Sequence, residues 1–71
     1  MIDLPEAITA IRRLHDVADC LLGVIQYGGK PNAHDVEVIS TALLRGVHTL
    51  SANEYVLVQG AMERIERRTH A

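Results

Sequence analysis

Residues 4–27 read LPEAITAIRRLHDVADCLLGVIQY, and this stretch decides the fold class. Ala7, Ile11, Leu14, Ala18, Leu21 and Ile25 follow one another at alternating steps of four and three. That is the spacing of an apolar a/d seam along a helix. A strand needs apolar residues at every second position, and Arg12-Arg13 followed by His15-Asp16 breaks any such alternation. The start is marked by Asp3 as an N-cap, Pro5 in the first turn and Glu6 three residues after the cap. Gly28-Gly29 supplies a left-handed stop, and Lys30-Pro31 prevents continuation.

The flanks of the seam carry as much information as the seam. Ile8 and Leu22 lie on one side of it, and Ala10, Val17 and Val24 on the other. The apolar arc is wider than a two-stranded coiled coil requires, so this helix must be contacted from two sides. Arg12, Arg13, Asp16 and Asp19 belong to the narrower polar face.

Beyond this stretch a second helix is expected over about 33–48, capped by Asn32 and carrying Val36, Ile39, Leu43 and Val47 at helical spacing. A third, over about 52–68, opens on Ser51-Ala52-Asn53-Glu54, an S-x-x-E capping box with Leu50 and Tyr55 placed as a hydrophobic staple. Tyr55, Val58, Met62 and Ile65 continue it as a stripe. Tyr55-Val56-Leu57-Val58 is also good strand material, but the chain offers no second strand to pair with it. Gly23, Gly46 and Gly60 fall inside these helical patterns, each costing about 1 kcal/mol relative to Ala. Close helix–helix approach or a local kink is the structural reading of them.

At 71 residues the chain, 1–71, is one domain. Small domains bury too little surface to be comfortably stable alone. Cys20 is the only cysteine, so no intramolecular disulfide can help, and the histidines at 15, 34, 48 and 70 match no zinc-finger spacing. With 48% hydrophobic residues but no Phe, no Trp and two Tyr, the core is built of small aliphatic side chains. Homodimerisation is the expected remedy. A net charge of −2 argues against nucleic acid as a partner. No stretch has the length of a membrane span, no basic cluster precedes an apolar run near the N-terminus, and a lone cysteine fits a cytoplasmic protein.

Candidate chemistry is thin. His15 and Asp19 stand one turn apart, a spacing compatible with a surface metal, although a solvated polar face with an Arg12–Asp16 pair accounts for them. His34-Asp35 repeats the dipeptide, but adjacent helical residues point about 100° apart and do not orient each other as a catalytic pair. Cys20 has no adjacent base and reads as a small, partly buried filler. No catalytic, metal or cofactor site is proposed from the sequence. Arg64, Arg67 and Arg68 near the C-terminus are favoured by the helix dipole and by an i,i+4 Glu63–Arg67 pair. They also form a candidate docking patch for an acidic partner.

The expected architecture is therefore all-α: a long first helix against an antiparallel pair, completed as a helical bundle by homodimerisation. Ile11, Leu14, Leu21, Leu22 and Ile25 are the candidate interface. The expected function is a non-catalytic protein–protein interaction module, a regulator or inhibitor of the kind encoded by bacteria and phages, that binds a larger protein. The alternative is a small dimeric helix-turn-helix-like DNA-binding regulator using the second and third helices. Ala42, Gly46 and Val47 suit that motif, whereas Thr41, Arg45, Ala52 and Glu54 depart from it.

Overall fold

Each helix begins on a polar side chain that takes up amides its first turn leaves unpaired. In a computed structural model describing residues 3–69, the Glu6 amide donates to Asp3 Oδ1 at 2.9 Å, opening α1 (Leu4–Tyr27). The His34 amide donates to Asn32 Oδ1 at 2.8 Å, opening α2 (Ala33–Arg45). The third start is reciprocal: the Glu54 amide donates to Ser51 Oγ, and the Ser51 amide donates to Glu54 Oε1, both at 3.2 Å. α3 (Ala52–Thr69) follows. Among the described residues there is no strand.

The helix ends are set by glycine where the backbone demands it. Gly28 closes α1 at φ 63°, its amide donating to the Val24 carbonyl at 3.1 Å. Gly46 stands at φ 97° and ends α2 at Arg45, three residues before the boundary read from periodicity. It is a terminator and not a helix-interior glycine. Beyond it a 3-10 turn, Val47–Thr49, tips Val47 into the core at 2% exposure. The helical rhythm of Val47 in the sequence thus comes from a residue that packs from a turn. Gly23 and Gly60 lie inside helices, but neither marks a close helix crossing. Among the described residues a Cβ on Gly23 would meet only the Tyr27 ring at 4.0 Å, and one on Gly60 the Arg64 guanidinium of its own helix at 3.3 Å. The close approach falls instead at Gly29, where a Cβ would stand 2.6 Å from the Thr69 Cα.

α3 is the organising element. It buries Tyr55, Val58, Ala61, Met62 and Ile65; α1 adds Val17 and Cys20, and α2 adds Ile39 and Ala42. Val47 and Leu50 from the connection close the end of this core. The α2–α3 contact is the most extensive of the three helix pairings, followed by α1–α3. Two ion pairs fix the direction of the former. Arg45 at the end of α2 reaches Glu54 at the start of α3 (2.8 Å), and Asp35 at the start of α2 holds Arg64 toward the end of α3 (3.0 Å). The pair is therefore antiparallel. α1 runs alongside α3, with Arg13 4.4 Å from the Tyr55 ring centroid and Cys20 directed at the Met62 carbonyl (3.9 Å). The bundle measures 40 × 20 × 17 Å.

Candidate interaction surfaces

The wide apolar arc of α1 is divided in two. Val17 and Cys20 are buried, and Leu21 and Val24 pack against the core. At about 3.6 residues per turn, the rest of the arc lies roughly a third of a turn away and faces outward. Along it Ile11 is 65% exposed, Leu14 47%, Leu22 50% and Ile25 78%. Leu4 and Ile8 extend the same stripe toward the N-terminus and are also exposed. Of the five residues expected at an interface, four are thus presented together on one outer face, and Leu21 sits at its boundary with the core. The seam read from the sequence straddles these two faces. Its steps of four and three are compatible with several neighbouring lines on a helix this apolar, and the shape of α3 selects which line packs inward.

A second apolar surface lies between α2 and α3. Val38, Ala42, Leu50, Leu57 and Val58 floor a groove of about 260 Å³. His34, Glu37, Arg45 and Glu54 stand around it. Arg45 and Glu54 are already paired with each other, and Glu54 also completes the cap of α3. The Arg45 contact holds the Glu54 carboxyl below the ordinary carboxylate range, and the two Ser51 hydrogen bonds act in the same direction. Such a Glu54 stays anionic at neutral pH, at the point where the helix-turn-helix alternative would put its recognition helix against phosphate.

The arginines of the candidate docking patch differ in their engagement. Arg64 donates through Nε to both carboxylate oxygens of Asp35 at 3.1 Å and through Nη2 to Oδ1 at 3.0 Å. Asp35 is 5% exposed, and these hydrogen bonds hold its carboxyl below the usual range against the opposing effect of burial. Arg67 lies 3.9 Å from Glu63, one turn back. Arg68 is exposed and makes no ion pair among the described residues. His70, adjoining this basic stretch, lies outside the described residues. Spacing could not reveal the Asp35–Arg64 clamp, because its members are 29 positions apart. A faint signal existed: Asp35 shares the inward side of the second helix with Ile39 and Ala42, where a carboxylate needs a cation.

The residues with catalytic or ligating potential are dispersed. His15 Nδ1 sits 3.3 Å from Asp19 Oδ2, and both side chains are well exposed. No group of three or more His, Cys, Asp or Glu converges among the described residues. Cys20 is buried; desolvation, and to a lesser degree the nearby Glu66, push its thiol pKa up, opposite to what a nucleophilic thiolate needs. No described helix is long and apolar enough to cross a membrane. No protein-family model, curated protein or solved structure matches the chain.

Proposed function

We propose that this chain is a non-catalytic protein–protein interaction module, a small regulator or inhibitor that binds a larger protein, and that two copies pair through the outer face of α1. One observation carries the reading: large aliphatic side chains, Leu4, Ile8, Ile11 and Leu14 at one end and Leu22 and Ile25 at the other, stand in solvent along one face of a helix whose other face already holds the core. Patches of this kind mark contact surfaces, and a small aliphatic core gains most from being extended across a twofold axis. The α2–α3 groove remains available to a different partner in such a pair.

Light scattering of the purified chain tests the pairing. A mass of two chains at micromolar concentration is expected, and a folded monomer for Ile11→Asp combined with Ile25→Asp. A stable wild-type monomer at every concentration would remove the pairing. For the larger partner, pull-down with and without nuclease is the discriminating measurement. A stoichiometric protein that survives nuclease supports the regulator reading, whereas capture that disappears with nuclease directs attention to nucleic acid.

A further inference from the structure

Resting on the reading that copies pair through α1, we infer that the second copy lies antiparallel on the outer face of α1, in a register where Ile8 meets Ile25, Ile11 meets Leu22 and His15 meets Ala18 of its twin. The outer face follows a second heptad line, Ile8, Ile11, His15, Ala18, Leu22 and Ile25, again at alternating steps of three and four. Ile8, Ile11, Leu22 and Ile25 are exposed along it, and the His15 side chain is 71% exposed. Antiparallel seams pack an a position against a d position. On this line that rule places large residues against large at both ends, and the imidazole against the smallest side chain at the centre. The twofold axis then passes between His15 and Ala18, and every layer recurs on the other side of it, as an isologous interface requires. Residues 8–25 span about 26 Å of helix at about 1.5 Å per residue.

Charge selects this orientation over the parallel one. Arg12 and Asp19 occupy equivalent flanking positions of the outer line, one heptad apart. Arg12 is exposed and makes no ion pair among the described residues. Asp19 is exposed and, among the described residues, forms an ion pair only with His15 of its own helix. In the antiparallel register these flanking positions face each other across the interface, so Arg12 of each copy meets Asp19 of the other, twice per dimer. The opposite flank brings Leu14 beside Leu21 of the twin. A parallel pair would instead stack His15 on His15, turn Arg12 toward Ala7 and turn Asp19 toward Leu14. It would satisfy neither charge.

Charge exchange and disulfide trapping test the register on the full-length chain. Arg12→Glu and Asp19→Arg are each expected to weaken dimerisation roughly ten-fold, since two exposed pairs turn repulsive at once. The double variant restores it, and circular dichroism shows all three folded because both positions are exposed. Failure of the double variant to recover affinity overturns the register. Independently, chains carrying Ile8→Cys and Ile25→Cys, both in a Cys20→Ala background, are mixed in a glutathione redox buffer. The mixed 8–25 disulfide is expected to dominate, and predominance of 8–8 and 25–25 disulfides would establish a parallel pair. A wild-type chain that stays monomeric in light scattering removes the self-association reading altogether. A dimer with unrescued charges or like-with-like disulfides removes only the antiparallel register.

Discussion

α1 and α3 make opposite use of their apolar residues. α1 is the longer and more apolar helix, yet it buries only Val17 and Cys20 completely; α3, shorter and more polar, buries five residues and contacts both other helices. The difference lies in how sharply each sequence defines a face. On α3 the stripe Tyr55, Val58, Met62 and Ile65 is bounded by Gln59, Glu63, Arg64 and Glu66, and beyond its first turn, where Val56 and Leu57 stand exposed, one orientation toward the core is favoured over all others. On α1 the apolar arc is too broad to specify a single inward line, and the helix ends with one face in the core and one in solvent. Apolar content sets how much surface a helix offers; its boundaries decide which part is used inside the chain.

The sharpest way to break this contrast is to make equivalent truncations on the two helices. Ile65 is 1% exposed and Ile11 is 65% exposed. Ile65→Ala should cost about 2–5 kcal/mol, the range for emptying a packed aliphatic site. Ile11→Ala should stay within about 0.5 kcal/mol in the monomer, as for ordinary surface changes. Urea denaturation at concentrations too low for association measures both. Equal losses would mean that α1's outer face contributes to folding of the single chain, against the division drawn above. At higher concentration the Ile11 variant should fall behind wild type, because binding stabilises the folded state by mass action.

The same contrast explains what could be read from the sequence. Helix number, order and starts were legible because they depend on local chemistry: Asp3, Asn32 and the Ser51–Glu54 box each act within a few residues of themselves. The end of α2 was less so. Gly46 looks like a tolerated helix-interior glycine until its positive φ is known, and Val47 continues the apolar rhythm from a turn. The partition of α1 was not legible, since choosing an inward line requires knowing the shape of α3. Of the Asp35–Arg64 clamp only the need was legible, in a carboxylate on the inward side of α2; its partner, a guanidinium from another helix, was not.

That clamp offers a test on the ordered side of the molecule. Arg64 lowers the pKa of Asp35 in the folded chain, so folding favours the ionised carboxylate. Its stabilisation is fully present above the unfolded carboxyl pKa and is lost as pH falls through the lower, folded value. Asp35→Asn should therefore reduce stability at neutral pH and flatten its decline on acidification, read by thermal melts across the acid range. A variant whose stability falls with pH as steeply as wild type would show that this carboxylate is not a principal contributor to the acid response. The loss should be smaller than that of Ile65→Ala, because Arg64 is about half exposed, at 53%, and can be solvated when released.

A smaller effect is expected where α3 begins. Ser51→Ala removes the acceptor for the Glu54 amide and should cost about 1 kcal/mol. Glu54 keeps its contact with Arg45, so the α2–α3 connection persists while the first turn of α3 frays. Hydrogen exchange should quicken at the Glu54 amide and its neighbours and leave the amides around Ile65 nearly unchanged. Uniform quickening along α3 would instead make the cap part of the cooperative unit that holds the whole bundle.

The smallest change tests the loosely determined side of the molecule and has the opposite sign. Gly23 lies inside α1, where glycine costs conformational entropy without meeting a steric demand. It has no positive φ, and among the described residues a Cβ would encounter only the Tyr27 ring at ordinary contact distance, 4.0 Å. Gly23→Ala should therefore stabilise the chain by about 0.4–1 kcal/mol, mostly by restricting the unfolded state. Gly29→Ala should destabilise it, because its Cβ would be driven to 2.6 Å from the Thr69 backbone. Gly23 stands off the outer heptad line, so the gain should appear equally above and below the concentration at which copies associate. A gain confined to high concentration would place Gly23 in the contact between copies, and a loss would mean that a partner approaches α1 closely at this glycine.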